Sequence, residues 1–132
     1  MGIVTEYADK FIEDSKRGLY RVKDLFTRGE LMLLPAIRKT FNSANILEVT
    51  VATTGYRGGD AGHGGRSVVR INDLGGTAIK ARIIPESIHG NGGCEIMVGG
   101  DCELYTLAAG LRFAADALEE LSDRSSDQNA EL

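Results

Sequence analysis

Thirteen of the 17 glycines fall between Gly55 and Gly100, and this clustering limits what the middle of the chain can build. Glycine inside a helix or strand costs roughly 0.5 to 1 kcal/mol relative to alanine, so these residues belong mainly to loops and turns. The stretches left between them are short, and they alternate. Leu47, Val49 and Val51 face one way and Glu48, Thr50 and Ala52 the other, the period of a half-buried strand. Residues 66–72 and 77–84 alternate in the same way, and Cys94 to Val98 gives a fourth short run. The segment Asn72-Asp73-Leu74-Gly75-Gly76 has turn chemistry, which predicts that the second and third runs form an antiparallel hairpin.

The flanks read differently. From Thr5, which suits an N-cap, the residues Ala8, Phe11, Ile12, Leu19, Val22, Leu25 and Phe26 recur at spacings of three, four and seven, predicting a helix over 5–27. Gly29 suits its end, and Pro35 predicts a restart carrying Ile37 and Phe41. After Gly99-Gly100, Asp101 suits the cap of a last helix whose Leu104, Leu107, Ala108, Leu111, Ala115 and Leu118 form one apolar stripe. The fold class predicted is therefore α+β: a helical arm over 1–41, an antiparallel sheet of about four strands over 45–98 and a helix over 101–122. Residues 1–122 make one domain, of ordinary size for a chain of 132 residues, and 123–132 a flexible tail. The helical arm is long for so small a sheet, which predicts burial against a second subunit.

A charged fraction of 26% and a hydrophobic fraction of 42% are ordinary for a folded protein. No run approaches the about 18 apolar residues of a membrane span, and Glu6 and Asp9 stand where a secretory leader has bases. A cytoplasmic protein is expected. The net charge of −4 argues against coverage of a long nucleic acid, but not against a small anion held by a few local groups.

Those groups gather in Gly55-Tyr56-Arg57-Gly58-Gly59-Asp60-Ala61-Gly62-His63-Gly64-Gly65-Arg66. Glycines let a backbone approach a ligand with its N–H groups exposed, and an arginine fork matches phosphate oxygens. The segment lacks the Gly-Lys-Ser/Thr ending of a Walker loop, and a strand follows it where a dinucleotide fingerprint has a helix. The opposing reading is a long hairpin loop with a charged tip. A second glycine-rich segment, Pro85 to Cys94, holds His89 and Asn91. In a simple meander both loops emerge on one side of the sheet, where His63, His89, Asn91 and Arg57 line one site; the alternative is two ordinary turns on opposite edges.

Catalytic and metal signatures are weak. The chain lacks His-x-x-x-His, Cys-x-x-Cys and Gly-x-Ser-x-Gly, so no metal, cofactor or serine nucleophile is assigned. Cys94 and Cys102 read as small buried thiols. Arg112 lies beside the apolar stripe of the last helix, where a basic group at a subunit boundary reaches an anion or else is simply solvated. Tyr105 and Phe113, at helical spacing, read as core.

The order of a helical arm, a sheet interrupted by a TTGYRGGDAGHGGR loop over Thr53 to Arg66, and a final helix after VGGD resembles the phage Thoeris anti-defence sponge proteins. That resemblance spans most of the chain. It implies a non-enzymatic role in the infected bacterial host: binding and sequestering cyclic ADP-ribose-type signals made by Toll/interleukin-receptor-domain defence proteins. It also implies dimers that build hexamers, and a second kind of site for cyclic oligonucleotides. The residues it points to are the glycine loop and, more loosely, Arg112. The ligand-binding set expected is thus Tyr56, Arg57, Gly58, Gly59, Asp60, His63, Gly64, Arg66, Asn91 and Arg112. The competing expectation is a small phosphodiesterase or hydrolase using His63 or His89 as its acid and base.

Overall fold

The computed structural model describes residues 15–58 and 64–131, with side chains described as far as Ser122. Among the described residues six strands precede one helix: β1 (Ser15–Lys23), β2 (Leu31–Asn42), β3 (Ile46–Thr53), β4 (Ser67–Gly75), β5 (Lys80–Ile84), β6 (Gly93–Met97) and α1 (Asp101–Glu131). The first four form an antiparallel sheet in the order β1-β2-β3-β4, and the last two form a separate two-stranded sheet. The architecture is α+β. Among the described residues no helix is long and apolar enough to cross a membrane.

The predicted helical arm is replaced by strands wherever it is described. Residues 15–23 and 31–42 pair as β1 and β2, from Ser15↔Lys39 to Lys23↔Leu31, while 5–14 lie outside the described residues. The period of two was present and hidden: Tyr20 and Val22 share a face with Met32, Leu34 and Ala36, and these side chains pack together with Ala52 and Val68. Gly29, expected to end a helix, instead adopts φ 87° in the β1–β2 turn. Pro35 is tolerated because the β2–β3 ladder stops at Ala36↔Ala52. The proline stands one residue beyond it, where its missing N–H interrupts no pairing with β3.

The strand β3 is the centre of the molecule. Its Leu47, Val49 and Val51 are wholly buried with Ile37 beneath Ala114, Ala117 and Leu121 of α1, and Phe41, Ile71, Phe113 and Leu118 close the rim. Phe41 and Phe113 meet edge to face, ring centroids 6.0 Å apart. The buried stripe of α1 is therefore rotated from the one expected. Leu104 and Leu111 are exposed, as are Tyr105 and Ala115, and the helix meets the sheet through its smallest residues. Gly110 sets the approach: a β-carbon there would lie 3.0 Å from Val49 Cγ2.

Asp101 opens the helix without capping it. The Gly100 carbonyl accepts the first helical bond, from Leu104 N at 3.0 Å, so Gly100 occupies the cap position, with φ 120°. The Glu103 carboxylate folds back over it, where a side chain at position 100 would collide with it. Past Ser122, where a flexible tail was expected, the backbone stays helical to Glu131; no glycine or proline interrupts 123–131.

The hairpin predicted between residues 66–72 and 77–84 does not form: β4 pairs with β3 and β5 with β6. Three buried polar side chains explain the departure. Asn45 Nδ2 donates to Thr77 Oγ1 at 2.9 Å and to Thr106 Oγ1 at 2.8 Å. The two hydroxyls in turn donate to the carbonyls of Ile46 and Glu103, each at 3.2 Å. Thr77 is thereby pinned between the start of β3 and α1, and Gly76 and Ala78, with φ of 71° and 53°, turn the chain away from β4. Cys94 and Cys102, expected to be buried, are free and exposed, because β6 and the first turn of α1 leave them outside the core.

Candidate functional site

The glycine loop leaves the sheet between β3 and β4, and its neck is closely tied. Thr54 N donates to the Arg66 carbonyl at 2.9 Å, and Arg66 N donates to Thr54 Oγ1 at 3.1 Å. Thr53 Oγ1 accepts from Gly55 N at 3.0 Å and lies 2.8 Å from Ser67 Oγ. The crossing is tight enough that a β-carbon on Gly65 would stand 3.1 Å from the Gly55 carbonyl oxygen and 3.2 Å from Thr54 Oγ1. Gly55 and Gly58 take φ of 76° and 67°, the left-handed region that favours glycine.

Arg57 stands on this neck. It is exposed, its stem runs beside Gly64 and Gly65, where a β-carbon on either would stand 3.7 and 3.8 Å from it, and it makes no hydrogen bond or ion pair among the described residues. Arg66 has a different role. Its Nε donates to Asp24 Oδ1 at 2.9 Å, its Nη1 donates to the Gly65 carbonyl at 3.0 Å, and its guanidinium carbon lies 5.0 Å from the centroid of the Phe26 ring. Arg66 thus fastens the loop to the β1–β2 turn. The Arg66 guanidinium, and then the Phe26 N–H, hold the Asp24 carboxyl below the ordinary carboxylate range.

The other expected residues are dispersed. Tyr56, also exposed, lines a cleft of about 230 Å³ on the helix side of the sheet with Thr53, Gly55, Ser67, Leu118 and Glu119. The Glu119 carboxylate there disfavours an anion. Gly59, Asp60 and His63 lie outside the described residues. Asn91 and His89 sit in the exposed turn between β5 and β6, where Ser87 and Gly90 bridge and His89 N donates to Ser87 Oγ at 3.1 Å. Glu86 and His89 stand at Glu-x-x-His spacing, but in this turn and not on a helix, so the spacing does not stack them on one face. Arg112 is exposed on α1, seven residues before Glu119 and so about 10 Å nearer the start of the helix. No hydrogen bond or ion pair among the described residues joins Asn91 or Arg112 to the glycine loop.

Asp24 and Phe26 are the participants that sequence reasoning missed. Their signal was the turn pattern Asp24-x-x-Thr27-x-Gly29, which a helical reading of 5–27 conceals. In comparisons with protein-family models, with characterised proteins and with solved structures, none matches this chain. What the chain offers is the loop itself, on an α+β domain that presents a pinned glycine-rich neck and an arginine unpaired among the described residues.

Proposed function

We propose that this protein binds an anionic nucleotide of the cyclic ADP-ribose type at the glycine loop, holds it unchanged, and so withdraws a signal from bacterial Thoeris defence. The observation that carries this reading is Arg57. Its guanidinium is unpartnered among the described residues, and its stem runs beside two glycines whose lack of side chains lets a phosphate approach the backbone, on a neck already ordered by hydrogen bonds. A backbone so tied presents its groups to an anion with little ordering cost of its own. Sequestration needs affinity and stoichiometry and no transition-state machinery.

The copies of the chain act together in this reading. Leu104 and Leu111 on α1, and Ile83 and Met97 on the β5–β6 hairpin, are large apolar side chains left exposed, and surface of this kind marks contacts between proteins. A homodimer or larger assembly is expected by light scattering; a monomer at micromolar concentration would remove the shared-subunit part of the proposal.

Calorimetric titration with cyclic ADP-ribose tests the rest. Arg57→Ala should weaken binding about tenfold to a hundredfold, the loss of one charge-assisted hydrogen bond. Ligand recovered intact after heat denaturation fits a sponge, whereas altered ligand would identify a hydrolase. Wild-type affinity in Arg57→Ala would mean that the loop is not the site.

A further inference from the structure

The β1–β2 turn places an aromatic ring beside the glycine loop and holds it there. Asp24 N donates to the Glu30 carbonyl at 2.8 Å, Phe26 N to Asp24 Oδ1 at 3.0 Å, and Thr27 N and Oγ1 both to the Asp24 carbonyl, while Glu30 N donates to Thr27 Oγ1. Such a network leaves the turn few alternative conformations. Yet Phe26 is 83% exposed. Aromatic side chains contribute their largest stabilisation when buried, and this one projects into solvent from a tied backbone.

The ring is also part of the loop's own structure. The Arg66 guanidinium lies against Phe26 while its N–H groups are committed to Asp24 and to the Gly65 carbonyl. Gly65 is in turn the residue beside which the Arg57 stem passes. Phe26, Arg66, Gly65 and Arg57 therefore form a continuous row: a flat apolar surface at one end, a cation unpaired among the described residues at the other, and a narrow glycine step between. Phosphate alone uses only the cationic end. A molecule with a planar base and a phosphate group uses both.

We infer that Phe26 is the surface on which the base of the bound nucleotide stacks, so that the β1–β2 turn selects nucleotides from other phosphorylated ligands. This rests on the reading of Arg57 as the anion contact. Because one side of the ring lies against Arg66, the base lies on the other side, as the outer layer of a guanidinium–phenyl–base stack. Pyrophosphate binding then depends on Arg57 and is indifferent to Phe26.

Four proteins and two probes test this by calorimetry: wild type, Arg57→Ala, Phe26→Leu and Phe26→Trp, each with cyclic ADP-ribose and with inorganic pyrophosphate. The replaced side chain is exposed, and circular dichroism checks that each variant is folded. Phe26→Leu should weaken cyclic ADP-ribose about 5- to 150-fold, the about 1 to 3 kcal/mol of base–aromatic stacking. It should leave pyrophosphate unchanged, and Phe26→Trp should restore the nucleotide. Cyclic ADP-ribose binding that falls in Arg57→Ala but not in Phe26→Leu would overturn the stacking inference and spare the anion site. Equal losses of both probes in Phe26→Leu would overturn it too, reducing the ring to a support for Arg66. A change in assembly size with unchanged affinity would assign Phe26 to a protein contact instead. If wild type binds neither probe, the anion reading fails and the inference falls with it.

Discussion

The contact between α1 and β3 makes a prediction whose sign depends on one methyl group. Gly110→Ala removes a glycine from a helix interior, a gain of about 1 kcal/mol in helix propensity. It also adds a carbon 3.0 Å from Val49 Cγ2, inside the about 3.5 to 4.0 Å at which carbon atoms rest. Val49 has nowhere to go: it is wholly buried on a strand paired on both sides, and its branched side chain has little χ1 freedom. Overpacking of this kind costs about 1 to 3 kcal/mol, so the net effect should be a loss of about 1 kcal/mol, roughly 3 to 5 °C in Tm for a domain of this size. Val49→Ala deletes the obstructing methyl, and the next atom, Leu47 Cδ2, stands at an ordinary 3.5 Å. In that background Gly110→Ala should stabilise by about 1 kcal/mol, a coupling of about 2 kcal/mol between the sites. Urea unfolding of the four proteins, with unchanged m-values, gives the cycle. Additive effects, or a Gly110→Ala that stabilises the native background, would refute the close approach of helix and sheet.

Two other perturbations probe the polar parts of the framework. Asn45→Ala removes both hydrogen bonds of a buried amide and should cost about 2 to 4 kcal/mol, cavity included. Asn45→Asp should be worse at neutral pH than Asn45→Ala in the same unfolding assay. The new carboxylate cannot donate to two hydroxyls already donating to carbonyls, and its penalty should shrink as the pH falls and it protonates; the opposite order would show that the amide does not bridge Thr77 and Thr106. Acid should loosen two turns. Asp24 is depressed first by Arg66, and Asp73 first by the Thr77 N–H, both from an ordinary 3.8. Their folded pKa values lie below the unfolded ones, so their contribution is complete above the unfolded value and disappears as the pH falls through the folded one. Unfolding midpoints should decline below about pH 4, and Asp24→Asn with Asp73→Asn should flatten that decline; an unchanged slope in the double variant would show that neither turn titrates with folding.

What was legible in the sequence followed from unambiguous periods. Leu47, Val49 and Val51 alternate without competing signals, and β3 begins and ends within a residue of the expected run. The start of the last helix was equally plain, since two glycines precede a long stretch without another breaker until Gly110. The first 41 residues failed because Leu19, Val22, Leu25 and Phe26 satisfy helical spacing by coincidence. Only pairing between β1 and β2, a tertiary fact, decides between that spacing and the alternation of Tyr20 with Val22 and of Met32 with Leu34 and Ala36. The orientation of α1 was hidden for a similar reason: apolar residues lie on more than one of its faces, and the close fit at Gly110 selects the one that is buried. At the candidate site, Arg57 was visible as a cation among glycines. The pairing of Arg66 with Asp24 spans 42 positions, and no local pattern announces a contact of that range.

The core joins β3 to the helix that follows both sheets: Val49 meets Gly110, and Leu47 and Val51 share a cluster with Ala117 and Leu121. A ribosome delivers these partners in order, at about 5 to 20 residues per second. The four-stranded sheet therefore emerges before the helix that covers it, and for that interval Ile37, Leu47, Val49 and Val51 lie open along one face. Fragments that stop short of Asp101 keep that face permanently, and they should be captured by chaperones or aggregate while the full chain remains dissolved. The helix thus completes the fold during synthesis, closing the apolar face only once it has itself emerged from the ribosome.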